Sequence, residues 1–388
     1  MSKAFETSYN VAIVGAGPAG SSAAIRLANA GLRVLLVEQK KFPREKLCGE
    51  FISPECLSHF WDLGVMPEIS AAGGTDLTET IFFARNGKGV AVQSEWLGSA
   101  GTLALGLSRA EMDFLLLERA RGAGVDVREE INASILKSDR KVVGLKIREK
   151  TGAETEMYAE LTVDATGRTR SLARQFYKEI PKKKPADFVA FKTHLRGASV
   201  APGVCEIYAY NGGYGGCNRV ENDLYNLCFI ASVEDTKRLG SNAERVMREV
   251  VFTNKRARDS MQNATVSKPW HAVPIERFGR GELVPVKGLI TIGDAAAFID
   301  PFTGSGILLS LESAKIAAAS IVRNFNDGGN FSDLAVDYKE NYSNVFDTRL
   351  KVCSMLRHVA FVPFLAEATI SFLSISVGLR RWVARATR

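Results

Sequence analysis

The chain has 388 residues, of which 46% are apolar and 24% are charged, a composition that excludes a disordered protein and indicates a large folded core. Its net charge of +7 predicts mild attraction to anions. No basic stripe with interleaved aromatic residues is visible, so nucleic acid is not an expected partner. The six cysteines show no CxxC spacing, and MSKAFETSYN does not read as a signal segment. We therefore expect a reducing, cytoplasmic setting without disulfides or a metal site.

The first predicted elements form a strand, turn, helix and strand at the N-terminal end. The apolar run Tyr9 to Val14 stops at GAGPAG, and SSAAIRLANAG follows with small and apolar residues at helical spacing. A second run, Arg33 to Val37, ends at Glu38. This succession is typical of a doubly wound parallel sheet.

The glycine turn carries the first prediction about a ligand. Gly15 permits a tight turn, Gly17 lets a pyrophosphate approach the backbone, and Gly20 lets helix and strand pack closely. Glu38 stands where a carboxylate accepts hydrogen bonds from a ribose diol, and the free N–H groups of the helix favour phosphate. The pattern therefore predicts a bound dinucleotide.

The middle of the chain predicts a helix and then mainly strands. SRAEMDFLLLERARGAG has Ser108 as its N-cap and a glycine stop, and VVGLKIREK and ETEMYAELTVDATG predict a β-meander. From about Lys182, segments such as FVAFKTHLRG and DLYNLCFIASVE predict an antiparallel sheet, which the helical SNAERVMREVVF interrupts.

A second strand, loop and helix near the far end decides between dinucleotides. GLITIGDAAAFIDPFTGSGI places Gly293 and Asp294 after an apolar strand, so that the first sheet is completed about 280 residues after it began. Asp294 can bind a polyol, and N–H groups at the next helix start can face an electron-rich ring edge. FAD has a ribityl polyol between its phosphates and its ring, and NAD does not, so the predicted cofactor is FAD.

The last part of the chain is apolar and ends in arginines. Val359 to Leu379 contains Pro363 and Glu367, so it is not clean enough for a spanning helix. A buried helix pair is the favoured interpretation, and a tail resting on a membrane surface is the alternative.

These motifs, in this order, resemble the FAD-dependent group that contains p-hydroxybenzoate-hydroxylase-type monooxygenases, geranylgeranyl reductases and flavin-dependent halogenases. The resemblance extends to about residue 330 and implies an α/β fold: a glutathione-reductase-type Rossmann FAD domain, an antiparallel β-sheet substrate domain and a helical C-terminal region. The expected FAD domain comprises residues 1–75, 100–175 and 280–330. The substrate domain comprises residues 76–99 and 176–279, and the helical region residues 331–388.

The same resemblance implies a set of cofactor-binding residues. FPREKLCGEFISP, LSRAEMDFLLLERA, VDATGRTR and GDAAAFIDPFTGSG are similar to family segments that pass the cofactor. With the glycine turn and its acid, the expected set is Gly15, Gly17, Ala19, Gly20, Glu38, Gln39, Arg44, Lys46, Cys48, Gly49, Arg109, Asp164, Gly167, Gly293, Asp294, Pro301, Gly304, Ser305 and Gly306.

The reaction is less specified than the cofactor. Lys192 and His194 share one strand face by period 2, and with Tyr214 and Cys48 they are the candidate catalytic residues. This set favours a monooxygenase that uses NAD(P)H and O2 to hydroxylate a hydrophobic aromatic or polyketide-like compound.

Three other interpretations stay open. The PREKLCG segment and the apolar tail favour a reductase of prenyl double bonds. A halogenase is disfavoured because the WxWxIP signature is absent, and a non-catalytic electron relay is the last alternative. Without a second glycine unit, we expect NADPH or NADH to bind transiently or a separate flavin reductase to supply electrons.

Overall fold

The computed structural model describes residues 9–98, 101–176, 186–275, 279–298, 304–360 and 376–386. The helices are α1 (Pro18–Asn29), α2 (Glu55–Leu63), α3 (Met66–Ala71), α4 (Arg109–Gly122), α5 (Val233–Arg238), α6 (Ala243–Glu249), α7 (Lys255–Met261), α8 (Gly306–Asn326), α9 (Phe331–Ala360) and α10 (Val377–Ala386). The strands are β1 (Tyr9–Val14), β2 (Val34–Val37), β3 (Phe51–Ile52), β4 (Thr75–Leu77), β5 (Glu79–Phe83), β6 (Gly89–Gln93), β7 (Ala104–Gly106), β8 (Asp126–Arg128), β9 (Asn132–Ser138), β10 (Lys141–Arg148), β11 (Glu154–Asp164), β12 (Phe188–Arg196), β13 (Val204–Tyr210), β14 (Gly213–Arg219), β15 (Tyr225–Ser232), β16 (Thr265–Val266), β17 (His271–Ile275), β18 (Gly279–Arg280), β19 (Leu289–Thr291) and β20 (Ala297–Phe298).

The first sheet has the order β8-β2-β1-β11-β10-β9, and β19 pairs with β11. Its β1, β2, β8, β11 and β19 pairings are parallel, whereas β9, β10 and β11 form an antiparallel meander. Strands β1 and β2 are buried on both faces, which explains their continuous apolar runs. The predicted Rossmann unit, the meander and the late return of β19 are confirmed.

The second sheet has the order β16-β12-β15-β14-β13-β5-β6, with β17 paired to β12. The predicted antiparallel arrangement holds except between β5 and β13, which pair in parallel. That pair joins two distant parts of the chain rather than a hairpin, so neither strand dictates the direction of the other. The domain boundaries expected above stay predictions.

Helices α1 and α8 pack together beneath the first sheet, and α9 packs against α8. Small residues of α1 such as Ala23 and Ala24 are fully buried there, which permits close helix packing. The hydroxyl of Tyr338 in α9 donates a hydrogen bond to the carbonyl of Thr291 at 2.7 Å and ties the C-terminal region to β19.

Among the described residues, no helix has the length and apolar character needed to cross a bilayer. The predicted buried helix pair falls mostly on residues 361–375, which lie outside the described residues.

Candidate active site

The glycine turn between β1 and α1 is closed by contacts that only glycine permits. Gly15 has φ +103°, and a Cβ there would lie 2.3 Å from the carbonyl oxygen of Ala165. A Cβ on Gly20 would lie 1.8 Å from the carbonyl oxygen of Gly15. The backbone is therefore held against β11, and the N-terminus of α1 stays open toward a ligand.

Two guanidinium groups face this N-terminus. A Cβ on Gly17 would meet Arg109 at 3.9 Å and Arg44 at 4.0 Å, with no closer atom. Arg109 donates two 2.7 Å hydrogen bonds to the fully buried Asp113, and Arg44 donates one of 3.1 Å to the same carboxylate. Burial disfavours the charge of Arg109, but Asp113 outweighs it and raises the pKa, so the guanidinium stays charged. These charges and the helix N-terminus together make a diphosphate site.

Glu38 stands at the end of β2, as the sequence predicts. Its carboxylate accepts hydrogen bonds from the backbone N–H groups of Ala16 at 3.0 Å and Lys40 at 2.9 Å. These bonds fix its orientation and leave further acceptor positions for hydroxyl groups. The neighbouring Gln39 lines the same cavity and donates to Asn132 at 2.8 Å.

Asp164 shapes a loop instead of lining the cavity. One of its oxygens accepts from the N–H and hydroxyl groups of Thr166 at 3.0 and 2.6 Å. The other accepts from the N–H groups of Leu172 and Ala173 at 3.2 and 2.9 Å. The loop so formed presents Gly167, with φ +72°, to the cavity. Whether Asp164 also contacts a ligand stays a prediction.

The far end of the cavity is formed after β19. Gly293 has φ +58°, and its N–H donates to the hydroxyl of Ser313 at 2.8 Å. Asp294 follows it into the cavity wall, where burial raises the pKa of its carboxyl against the opposing effects of Arg109 and Lys46.

The remaining predicted residues of this motif lie at the start of α8. Gly304 and Gly306 line the cavity, and Ser305 between them is buried at the N-cap position. Pro301 lies outside the described residues.

The predicted cations and the thiol of the segment at residues 44–49 do reach the cavity. Arg44, Lys46, Cys48 and Gly49 all line it. Burial and the charges of Arg44 and Arg109 lower the pKa of Lys46. An anion bound here would relieve this repulsion.

We call residues 45–50 the cavity loop. A buried ion network joins this loop to β12. The ammonium of Lys192, on β12, contacts Glu50 at 2.5 Å and Glu45 at 2.8 Å. His194 Nε2 lies 2.7 Å from the second oxygen of Glu50, and the N–H of Arg109 donates to the first at 2.9 Å. Lys192, His194 and Glu50 are each at most 1% exposed.

Further bonds fasten the cavity loop to the second sheet. Asn226 donates to the carbonyl of Cys48 at 3.2 Å, and Asn218 donates to the carbonyl of Glu50 at 3.3 Å. Lys268 donates to Glu45 at 2.6 Å. Burial acts to raise the pKa of Glu45, but Lys192 and Lys268 lower it to about 2. The wall of the cavity is therefore set by side chains of the other sheet.

The network also has the ligand types of a metal site. Glu45, Glu50 and His194 place ligand atoms within 4.8 Å of one another. The ammonium of Lys192 already contacts both carboxylates, so we assign the role of the cation to that side chain.

The four candidate catalytic residues separate into two groups. Cys48 and Tyr214 line the cavity, whereas Lys192 and His194 are sealed behind Glu50. Their catalytic roles stay predictions. The resemblance implied that Glu50 lies near the flavin ring, but sequence reasoning missed its pairing with Lys192 and His194. A lysine on a buried strand face requires a buried acid, and the histidine two residues further on marks the same polar surface; that was the available signal.

One cavity of ≈ 1190 Å³ connects the glycine turn, Glu38, the cavity loop, Asp294 and Tyr214. It runs from the glycine turn past Asp294 to a wall of apolar side chains from β5, β6, the segment between β6 and β7, β13 and α10. That wall contains Phe82, Phe83, Val90, Val92, Leu97, Ile207, Leu379 and Trp382. Its arrangement fits FAD: an open helix N-terminus with two arginines for the diphosphate, Glu38 for a ribose and Asp294 for a polyol.

Residues 8–329 match a protein family described as FAD binding domain. The chain belongs to this FAD-binding family. As an FAD-binding oxidoreductase, it has relatives with several reactions. It is 28% identical to tryptophan 2-halogenase of Chondromyces crocatus, over 81% of this chain and 61% of that protein.

Several relatives are named as reductases. The FAD-binding chain is 30% identical to digeranylgeranylglycerophospholipid reductase of Methanosarcina mazei, over 80% of this chain and 74% of that protein. It is 26% identical to menaquinone reductase of Mycobacterium tuberculosis, over 99% of this chain and 95% of that protein. A solved geranylgeranyl bacteriochlorophyll reductase-like protein of Thermoplasma acidophilum shares its fold, with 20% identity, a TM-score of 0.76, and coverage of 97% and 95% of the two chains.

Proposed function

We propose that the protein is an FAD-dependent reductase that saturates double bonds of a long apolar, isoprenoid-type substrate. The observation that carries this proposal is the apolar far wall of the cavity, which suits a hydrocarbon chain. Lys192 and His194, which would favour a phenolic substrate, lie behind Glu50. The relatives named as reductases of digeranylgeranylglycerophospholipid and menaquinone support the same substrate class.

The residues of the chain have separable roles in this reaction. Bound FAD supplies a hydride when it is reduced. Gly17 and Arg109 hold the diphosphate, Glu38 holds the ribose, and Asp294 holds the polyol. The apolar wall orients the substrate and excludes water from the reacting bond.

The electron donor and the membrane belong to the proposal as well. We propose that NADPH or NADH, bound transiently, reduces the FAD, with a separate flavin reductase as the alternative.

Trp382 is 68% exposed beside Arg381 and also lines the cavity, so α10 is suited to contact an anionic lipid surface. Co-sedimentation with anionic vesicles but not neutral ones tests this contact, and Trp382→Ala should weaken it.

Anaerobic turnover tests the reductase. The holoprotein, reduced with dithionite, is mixed with a geranylgeranyl lipid in detergent, and mass spectrometry should detect the gain of H2 at a prenyl double bond. Ile207→Asp, in the apolar wall, should abolish this gain without loss of FAD. Val336→Asp is the control, because Val336 is already 56% exposed on α9. Absence of any H2 gain with every prenyl substrate would defeat the proposal.

A hydroxylase is the second candidate, because the hydroxyl-bearing Tyr214 lines the cavity together with His271. Both side chains can anchor a ring substrate. Oxygen uptake with NADPH that rises on addition of a phenol, and that falls in Tyr214→Phe, would favour the hydroxylase over the reductase.

A further inference from the structure

The charges of two lysines and two glutamates balance in the ion network behind the cavity loop. His194 is one further ionisable group in this network. Lys192 and Lys268 are balanced by Glu45 and Glu50 through contacts of 2.5 to 2.8 Å. His194 adds an imidazole against the free side of Glu50 at 2.7 Å. A proton on this imidazole would give the lysines, the two acids and the histidine a net positive charge in a buried place. Such a charge is costly unless a new negative charge appears nearby.

Two ionisable neighbours of the pair, Lys192 and Cys228, keep fixed charge states near neutral pH. Burial disfavours the charge of Lys192, but Glu50 outweighs it and raises the pKa. Burial raises the pKa of the Cys228 thiol, which stays neutral. Charged and ionisable groups surround the pair from the cavity loop, α4, β12, β15, β17 and the segment before β17. They are Glu45, Cys48, Arg109, Lys192, Cys228, Lys268 and His271.

The position of the pair connects it to the cofactor. Glu50 lines the cavity, and its first oxygen accepts the N–H of Arg109, whose side chain faces the diphosphate site. Imidazole is the side chain whose charge ordinarily changes between about pH 5 and 8. The His194 imidazole can therefore gain or lose a proton when the charge in the cavity changes.

We infer that Glu50 and His194 hold a redox-linked proton: the pair takes up one proton when the bound flavin gains two electrons and releases it when the flavin is reoxidised. Reduction uses two electrons from the reductant and two protons from water: one proton is later delivered with both electrons as the hydride, and the other is held by the pair. The release step rests on the proposed function, in which the substrate double bond gains a hydride from the reduced cofactor and a proton from the pair. One C=C π bond is lost, two C–H bonds form, and the flavin is reoxidised.

Potentiometry of the holoprotein tests the uptake step without a substrate. The midpoint potential of bound FAD is measured between about pH 6 and 8, and its slope gives the number of protons taken up per two electrons. His194→Gln should take up one proton fewer than the wild type over this range. An unchanged proton number in His194→Gln would overturn the inference.

A matched control separates this effect from the loss of any buried histidine. His59 is 3% exposed, lies 3.0 Å from Glu312, and does not line the cavity. His59→Gln should keep the wild-type proton number. If it lost one proton as well, the assignment to the Glu50 and His194 pair would be wrong.

A second measurement needs no stable His194 variant. Nitrogen-15 NMR of the imidazoles is recorded on the oxidised and reduced holoprotein at neutral pH, with signals assigned by elimination through His59→Gln, His271→Gln and His358→Gln. The His194 signal should change from neutral to protonated on reduction. Its constancy would sink the inference. If the protein took up the proton on reduction but proved to be a hydroxylase, only the proposed reductase function would be refuted.

Discussion

We expect the buried ammonium of Lys192 to stabilise the cavity wall through its contacts with Glu45 and Glu50. Lys192→Met keeps the length of the side chain and removes the charge that contacts Glu50 at 2.5 Å and Glu45 at 2.8 Å. Because Glu50 is fully buried, removal of its partner should cost about 3–5 kcal/mol of the free energy of unfolding. Denaturant titration of the holoprotein, followed by flavin fluorescence, measures this loss.

Lys268→Met is the matched comparison. Its ammonium contacts the same Glu45 at 2.6 Å, but its side chain is 34% exposed, so its loss should cost only about 0–1 kcal/mol. Adding Glu50→Gln to Lys192→Met should restore part of the stability, because an amide needs no buried countercharge. Equal losses in the two single variants would refute the reasoning that burial makes Lys192 decisive.

Three further predictions concern acid stability and the cofactor. Glu45 has its pKa lowered to about 2, so its contribution to stability is present above its unfolded pKa and is lost as pH falls toward 2; Glu45→Gln should flatten this part of the stability profile measured by thermal unfolding. Asp294→Ala should lose FAD, visible as a lower ratio of flavin to protein absorbance, and full occupancy would contradict its assignment. Gly20→Ala places a methyl 1.8 Å from the carbonyl oxygen of Gly15 and should lower flavin content and stability together; a variant with wild-type values would show that the turn can relax.

The cofactor half of the site could be predicted from sequence because it depends on local backbone needs. A positive φ at Gly15 and the short path from β1 to Glu38 leave their marks within one stretch of chain. Asp294 was predicted for the same reason, as part of a local strand and loop motif, and it lines the cavity. Each motif predicts its ligand contacts without knowledge of the rest of the fold.

The ion network could not be read in the same way. Glu50 is 142 residues from Lys192 and 144 from His194, and they meet only because the second sheet packs against the cavity loop. The period-2 alternation predicted that Lys192 and His194 share one strand face. It did not predict which surface that face contacts. The parallel pairing of β5 and β13 is likewise set by packing between distant segments.

Strand β19 pairs with β11 but lies far along the chain, so the cofactor cleft is completed late in synthesis. A ribosome that has made the glycine turn must still synthesise the whole of the second sheet before Asp294 emerges. At about 5–20 residues per second, this takes roughly 15 to 60 s. The cleft of the nascent chain is incomplete throughout that interval, so flavin capture comes late in synthesis or after it, and full-length chains made in cells short of flavin should be more open to proteases.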